Sequence, residues 1–136
     1  MNNKAQEYLK NYKTIAVYGF SKNPDKVAHS IPVFLKNRGY KVCGINPQKF
    51  EVEGIPVYQS LMEVPDEIEI LNVFRPSEHC LDVVKEAVER KNLRGDIKVV
   101  WLQEGIINNE AKELAEKNGI EFVQDTCIYK IYNSLQ

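Results

Sequence analysis

Short apolar runs alternate with stretches of helical periodicity along this chain, and that alternation constrains the fold more than any other feature. The first run spans 14–20, and apolar residues then recur at helical spacing from Val27 to Leu35. Later apolar runs lie at 41–45, 68–74, 97–102 and 120–123, and helical patterns follow the runs at 68–74 and 97–102. Strands joined through helices of about ten residues pair in parallel through right-handed crossovers. The pattern therefore predicts the α/β class.

Apolar runs without strict alternation are typical of a parallel sheet that helices cover on both faces. We therefore predict a Rossmann-like, doubly wound parallel sheet of about five strands in a three-layer α/β/α arrangement. The 136 residues suit one domain spanning 1–136. Ligands of such sheets bind beyond the carboxyl ends of the strands, so we look for function in the residues that follow each strand.

Capping residues indicate where the predicted helices begin and end. Gly39 is suited to end the helix after the first strand, and Ser77 and Asn108 are suited to cap two later helices at their N-termini. Pro32 fits the first turn of a helix that begins near Ser30, and it implies a kink if that helix begins earlier.

The amino-acid composition and the absence of targeting or membrane-spanning segments exclude several classes of protein. The formal net charge of −1 provides no global field that would attract nucleic acid or an anionic membrane. Three widely spaced cysteines and two histidines are poor material for a disulfide framework or a metal site. No apolar run approaches the roughly 20 residues of a membrane span, and the N-terminus lacks a secretory signal. We expect a cytoplasmic protein without a metal.

The first strand is followed by a loop, Gly19 to Pro24, that leads into a helix. Glycine permits a ligand to approach the backbone closely, Ser21 offers a hydroxyl, and free N–H groups at the helix start accept a phosphate. The loop lacks the second and third glycines of GxGxxG. A tight turn without a ligand remains the alternative. If the ligand interpretation holds, Gly19→Val abolishes binding and leaves the fold intact.

The second strand ends at Asn46-Pro47, and Lys49 follows two residues later. Enzymes that use NAD usually carry an acidic residue here to bind the ribose hydroxyls. Its absence beside a lysine favours a ribose that carries a phosphate. A rigid turn with an exposed lysine is the alternative.

The third and fourth strands also end in polar or aromatic residues. Phe74 is suited to stack on a purine and Arg75 to bind a phosphate, although a core aromatic beside a solvated arginine explains the pair equally well. After the fourth strand, Gln103 or Glu104 is suited to contact a polar ligand group, whereas Trp101 is expected in the core.

Several catalytic patterns are absent from the sequence. The strand ends lack the acidic residues of a phosphate-accepting receiver domain, and neither GxxxxGK[ST] nor GxSxG occurs. His29 and His79 have no evident nucleophile as a partner. We expect no catalytic residues.

Five strand ends together resemble the CoA-binding domain family, especially its single-domain members. The matching segments are Gly19 to Pro24, His29, Asn46-Pro47, 73–76, 101–105 and 125–127. The chain is also similar to the N-terminal domain of succinyl-CoA synthetase alpha subunits. That resemblance implies coenzyme A as the ligand and puts Ser21, Lys49 and Leu102 to Glu104 at CoA-contacting positions. Pro76 departs from the family pattern, since a second basic residue often follows the arginine.

These arguments define one set of candidate CoA-binding residues: Gly19, Phe20, Ser21, Lys22, Asn23, Pro24, Lys26, His29, Asn46, Pro47, Lys49, Phe74, Arg75, Pro76, Leu102, Gln103 and Glu104. The leading hypothesis is a noncatalytic module that binds CoA or an acyl-CoA. The alternatives are an enzyme or ligase subunit of CoA thioester chemistry, and a redox regulator that binds NAD(H) or NADP(H). The sequence leaves the acyl group, a protein partner and the oligomeric state open.

Overall fold

The computed structural model describes residues 3–135. Within them, the strands are β1 (Thr14–Tyr18), β2 (Lys41–Ile45), β3 (Val57–Tyr58), β4 (Ile70–Val73), β5 (Val99–Leu102) and β6 (Glu121–Val123). The α-helices are α1 (Asn3–Asn11), α2 (Val27–Asn37), α3 (Cys80–Arg94), α4 (Asn109–Lys117) and α5 (Ile128–Asn133). Short 3₁₀ turns at Leu61–Glu63 and Ser77–His79 precede β4 and α3.

The strands form one sheet in the order β3-β2-β1-β4-β5-β6, and every neighbouring pair is parallel. Winding reverses between β1 and β4, which are neighbours at the centre of the sheet. This arrangement confirms the predicted Rossmann-like α/β fold. Strand β3 was not predicted, because a strand of two residues shows no periodicity.

Each face of the sheet carries its own buried cluster of apolar side chains. One cluster joins the sheet to α3 and α4 and includes Leu71, Val84 and Ala115. The other joins the sheet to α1, α2 and α5 and includes Leu9, Leu35 and the fully buried Trp101. All residues of β4 and β5 are buried, as expected for central strands covered on both faces. The three-layer arrangement is thus present.

Two capping predictions had different outcomes. Asn108 caps α4, since its Oδ1 accepts a hydrogen bond from the Ala111 N–H at 2.9 Å. The prediction that Ser77 caps a helix is wrong, because residues 77–79 form a 3₁₀ turn and α3 begins at Cys80. The Ser77 hydroxyl instead accepts a hydrogen bond from the Ile107 N–H at 3.0 Å, which joins the segments after β4 and β5.

Helix α2 ends as predicted but begins earlier than its proline suggests. Arg38 follows the helix, and Gly39 adopts a positive φ of +99°, which suits a glycine at that position. The helix begins at Val27 and not near Ser30, so Pro32 lies inside α2 beyond its first turn. Across residues 3–135 no helix is both long and apolar enough to cross a membrane.

Candidate functional site

An open cleft of about 710 Å³ lies at the carboxyl edge of the sheet, around the ends of β1 and β4. This edge cleft contains eleven of the residues selected from the sequence: Gly19, Ser21, Lys22, Asn23, Lys26, Asn46, Phe74, Arg75, Pro76, Gln103 and Glu104. Four further lining residues were not predicted from the sequence: Val27, Ala28, Gln48 and Ile106. Val27 and Ala28 belong to the first turn of α2, and the predicted helix start was the signal that pointed to them.

The loop after β1 is tied to α2 through both backbone polar groups of Ser21. The Ser21 N–H donates to the Ala28 carbonyl at 3.1 Å, and the Ser21 carbonyl accepts from His29 Nδ1 at 2.7 Å. The Ser21 hydroxyl accepts from the Asn23 N–H at 3.1 Å and keeps its own proton to donate. The loop therefore offers the hydroxyl of Ser21 to a ligand, while its backbone groups at this residue are occupied.

Gly19 has a different role from the one expected. Its φ is +94°, and a Cβ there would lie 2.7 Å from the Phe74 carbonyl oxygen. The expectation that a larger side chain projects into a ligand and leaves the fold intact is therefore wrong. Glycine is required because the ends of β1 and β4 approach each other closely, whether or not a ligand is present.

Six selected residues lie outside the lining of the edge cleft: Phe20, Pro24, His29, Pro47, Lys49 and Leu102. Phe20 and Leu102 are fully buried, so their side chains belong to the core. The His29 ring stacks on Phe20, with centroids 5.4 Å apart, and its Nδ1 donates to the Ser21 carbonyl of the loop. Lys49 is exposed and lines a separate concavity formed by residues 49–57.

Three cationic side chains line the edge cleft. Lys22, Lys26 and Arg75 are exposed and line it. Within the described chain, the N–H groups of Val27 and Ala28 have no hydrogen-bond partner, as is usual in the first turn of a helix. Cations beside unpaired N–H donors at a helix start form a favourable environment for phosphate groups.

The carboxylate in the edge cleft is paired. Glu104 lies at its rim and accepts a hydrogen bond from Lys130 Nζ of α5 at 2.8 Å. That hydrogen bond raises the pKa of the Lys130 ammonium group. The ion pair offsets a negative charge that would otherwise face an anionic ligand.

The end of β2 holds the loop after β1 through Asn46. Its Nδ2 donates to the Phe20 carbonyl at 2.9 Å, and its Oδ1 accepts from the Gln48 N–H at 2.8 Å. The amide expected to face a ribose thus joins two loops of the protein, and Gln48 lines the cleft beside it.

Hydrogen bonds join the segments that follow β5 and β6, next to the edge cleft. Gln103 is buried, and its Oε1 accepts from the Ile128 N–H at the start of α5 at 3.2 Å. Asp125 has a φ of +52°, and its Oδ1 accepts from the Gly105 N–H at 2.7 Å. These contacts position Glu104 between two anchored residues.

Within the described residues, the edge cleft is lined neither by a metal-ligating cluster nor by the thiols of Cys43 and Cys80. No group of three or more His, Cys, Asp or Glu side chains in the described part of the chain is arranged to hold a metal ion. Burial raises the pKa of the Cys43 thiol to about 12 and that of Cys80 to about 11. Neither residue lines the edge cleft.

Comparison with protein families gives a match over residues 13–133 to the model described as CoA binding domain. The chain belongs to the CoA binding domain family. The family assignment confirms the resemblance seen at the strand ends. This CoA binding domain is also similar to the uncharacterized protein YneT of Bacillus subtilis, with 35% identity over 90% of this chain and 87% of that protein.

Longer relatives are ligases that contain a similar region. The ADP-forming acetate–CoA ligase of Methanocaldococcus jannaschii is 28% identical over 90% of this chain, which spans only 18% of that ligase. Among solved structures, the ID.343 protein of Thermus thermophilus has a TM-score of 0.89 at 34% identity and matches over 100% of both chains. A hypothetical protein of Pyrococcus horikoshii also has a TM-score of 0.89, at 30% identity over 99% of this chain and 92% of its own.

Proposed function

We propose that this protein binds coenzyme A, or an acyl-CoA, in the edge cleft and holds it without catalysing a reaction. The observation that carries the proposal is that Lys22, Lys26 and Arg75 line the same cleft as the first turn of α2. CoA carries a pyrophosphate and a 3′-phosphate, and these groups need cations and N–H donors. Membership of the CoA binding domain family supports the same ligand.

The contacts of His29 support binding without catalysis. A serine becomes a nucleophile when a histidine accepts the proton of its hydroxyl. His29 Nδ1 instead donates to the Ser21 carbonyl, and the Ser21 hydroxyl contacts the Asn23 N–H. This geometry favours a histidine that supports the loop over one that activates Ser21.

The contacts of Asn46 disfavour NAD as the ligand. NAD binding usually requires a carboxylate after the second strand, which accepts hydrogen bonds from the ribose hydroxyls. Asn46 occupies that position and uses its amide to hold Phe20 and Gln48. Neutral residues here suit a phosphate-bearing ribose better than one with two free hydroxyls.

A second candidate is a subunit of an acyl-CoA ligase. It is favoured by the similarity to ADP-forming acetate–CoA ligases, in which a region like this chain is a minor part of a longer protein. In that case the protein presents CoA to a partner that provides the chemistry.

Isothermal titration calorimetry with CoA, dephospho-CoA and NAD tests the proposal. We expect CoA to bind at least tenfold more tightly than dephospho-CoA, since a hydrogen bond between charged groups contributes about 1.5–3 kcal/mol. Lys26→Gln should weaken CoA binding. Lys98→Gln is the matched control, because Lys98 is exposed beside the amino end of β5, at the opposite edge of the sheet.

Three outcomes contradict parts of the proposal. Absence of CoA binding overturns it, and tighter binding of NAD supports the redox alternative. Noncatalytic binding is contradicted if the isolated protein synthesises a thioester in the presence of ATP. Chromatography detects the acyl-CoA product. Synthesis that appears only with an added ligase subunit supports the second candidate.

A further inference from the structure

Pro32 changes the hydrogen bonding of α2 at the point where the helix meets the edge cleft. In a regular α-helix, the N–H of residue 32 would donate to the carbonyl of Ala28. Proline has no N–H, and its ring crowds the carbonyl four residues earlier. The Ala28 carbonyl is therefore left without its usual helical donor.

The loop after β1 supplies the missing donor. The Ser21 N–H donates to the Ala28 carbonyl at 3.1 Å, although Ser21 precedes Ala28 and lies outside the helix. The neighbouring His29 completes the connection, because its Nδ1 donates to the Ser21 carbonyl at 2.7 Å. Adjacent residues of α2 thus bind both polar backbone groups of one loop residue.

We infer that Pro32 is a positioning residue for the ligand loop, residues 19–26. Because Pro32 has no N–H, the Ala28 carbonyl accepts its hydrogen bond from Ser21 instead. This bond sets the direction in which the Ser21 hydroxyl and the Lys22 side chain project from the loop. Pro32 itself is buried and does not line the edge cleft, so it acts through Ala28. Its relevance to CoA rests on the proposed function, whereas the backbone connection exists without any ligand.

Restoring the N–H at position 32 has opposite consequences for the helix and for the loop. Pro32→Ala and Pro32→Val each provide a donor that returns the Ala28 carbonyl to the helical pattern. The helix gains a hydrogen bond, whereas the Ser21 N–H loses its partner or shares it. Valine retains most of the buried volume of the proline ring and alanine does not, so an effect common to both variants comes from the N–H.

Amide hydrogen exchange, measured by NMR on the protein without ligand, tests this connection. We expect the Ser21 amide to exchange about two- to tenfold faster in both variants than in the wild type, the factor for one lost hydrogen bond. Amides of the central strands β4 and β5 should not share this acceleration. Val33→Ala is the matched control, because it truncates the next side chain of α2 and provides no new donor to Ala28.

The result that overturns the inference is an unchanged Ser21 exchange rate in both Pro32→Ala and Pro32→Val. Equal acceleration of Ser21 and the central strands also overturns it, since Pro32 would then act only on global stability. Calorimetry provides the second readout. We expect the affinity for CoA to fall about two- to tenfold in both Pro32 variants and to equal the wild-type value in Val33→Ala. Absence of CoA binding to the wild type refutes the proposed function, while the exchange rates still decide whether Pro32 positions the loop.

Discussion

The ring of Phe20 packs directly against the backbone of Gly44, so closely that a Cβ on Gly44 would lie 2.3 Å from Phe20 Cδ2. Phe20 follows β1 and Gly44 lies in β2, so the contact closes the core below the edge cleft. The Phe20 ring also stacks on His29, whose Nδ1 donates to the Ser21 carbonyl. Phe20 thus contacts both the backbone of β2 and the histidine that binds the ligand loop.

Gly44→Ala should destabilise the protein by about 1–3 kcal/mol, the usual cost of adding a group to a well-packed core. Urea denaturation measures this loss as a lower free energy of unfolding. Phe20→Ala removes Cγ and Cδ2, the two nearest atoms that the new methyl group meets, so the double variant should be less destabilised than the sum of the two single variants. Additive losses would show that the two residues do not compete for the same space.

Arg75→Gln should weaken CoA binding about ten- to a hundredfold, because Arg75 lines the edge cleft and a charged hydrogen bond to phosphate is lost. Lys49→Gln is the matched control. It removes a cation that also follows a strand but lines a different concavity, so we expect less than a twofold change. Calorimetry at one fixed ionic strength compares the CoA affinities of the two variants. Equal losses would place the phosphate contact of the ligand near Lys49 as well.

Arg90→Met should destabilise the protein by about 3–5 kcal/mol, because it leaves Asp96 as a buried charge without its partner. Arg90 is fully buried, lies 2.9 Å from Asp96 and donates to backbone carbonyls within residues 61–66. Lys41→Met breaks the exposed ion pair with Asp66 and should cost at most about 1 kcal/mol. Urea denaturation distinguishes the two, and a similar small loss in both variants would contradict a structural role for the buried pair.

Alkaline pH should destabilise the protein partly through Cys43. Burial raises the pKa of this thiol from 9.0 to about 12, so the folded state retains a proton that the unfolded state releases. The resulting stability is fully present below pH 9.0 and is lost as the pH rises toward about 12, by up to about 1.4 kcal/mol per pH unit.

The measurement for Cys43 is the free energy of unfolding between pH 8 and pH 11, in the wild type and in Cys43→Ala. The variant lacks the thiol, so its stability should fall less steeply with pH. Parallel curves would mean that the Cys43 thiol titrates alike in the folded and unfolded states. Tyr18 adds to the fall in both proteins, because burial and its hydrogen bond to Glu86 raise its pKa.

Local sequence patterns were sufficient to predict the α/β fold and the edge of the sheet that bears the cleft. Asn108 was recognisable as a cap because its side chain bonds within its own helix, to Ala111. Ser77 was not predictable in the same way, because its partner Ile107 belongs to a different part of the chain. The short β3 escaped detection for a related reason, since only its pairing with β2 makes it a strand.

The amino-acid sequence by itself determined the order of strands and helices, and hence that residues following β1 and β4 would meet at one edge. It could do so because apolar periodicity and parallel crossover connections are properties of contiguous segments. The tertiary structure alone decided that Lys49 leaves the edge cleft, that Gly19 packs on Phe74, and that Pro32 acts on the loop after β1. Those outcomes depend on side-chain directions and on hydrogen bonds between residues of different segments, and no local pattern encodes them.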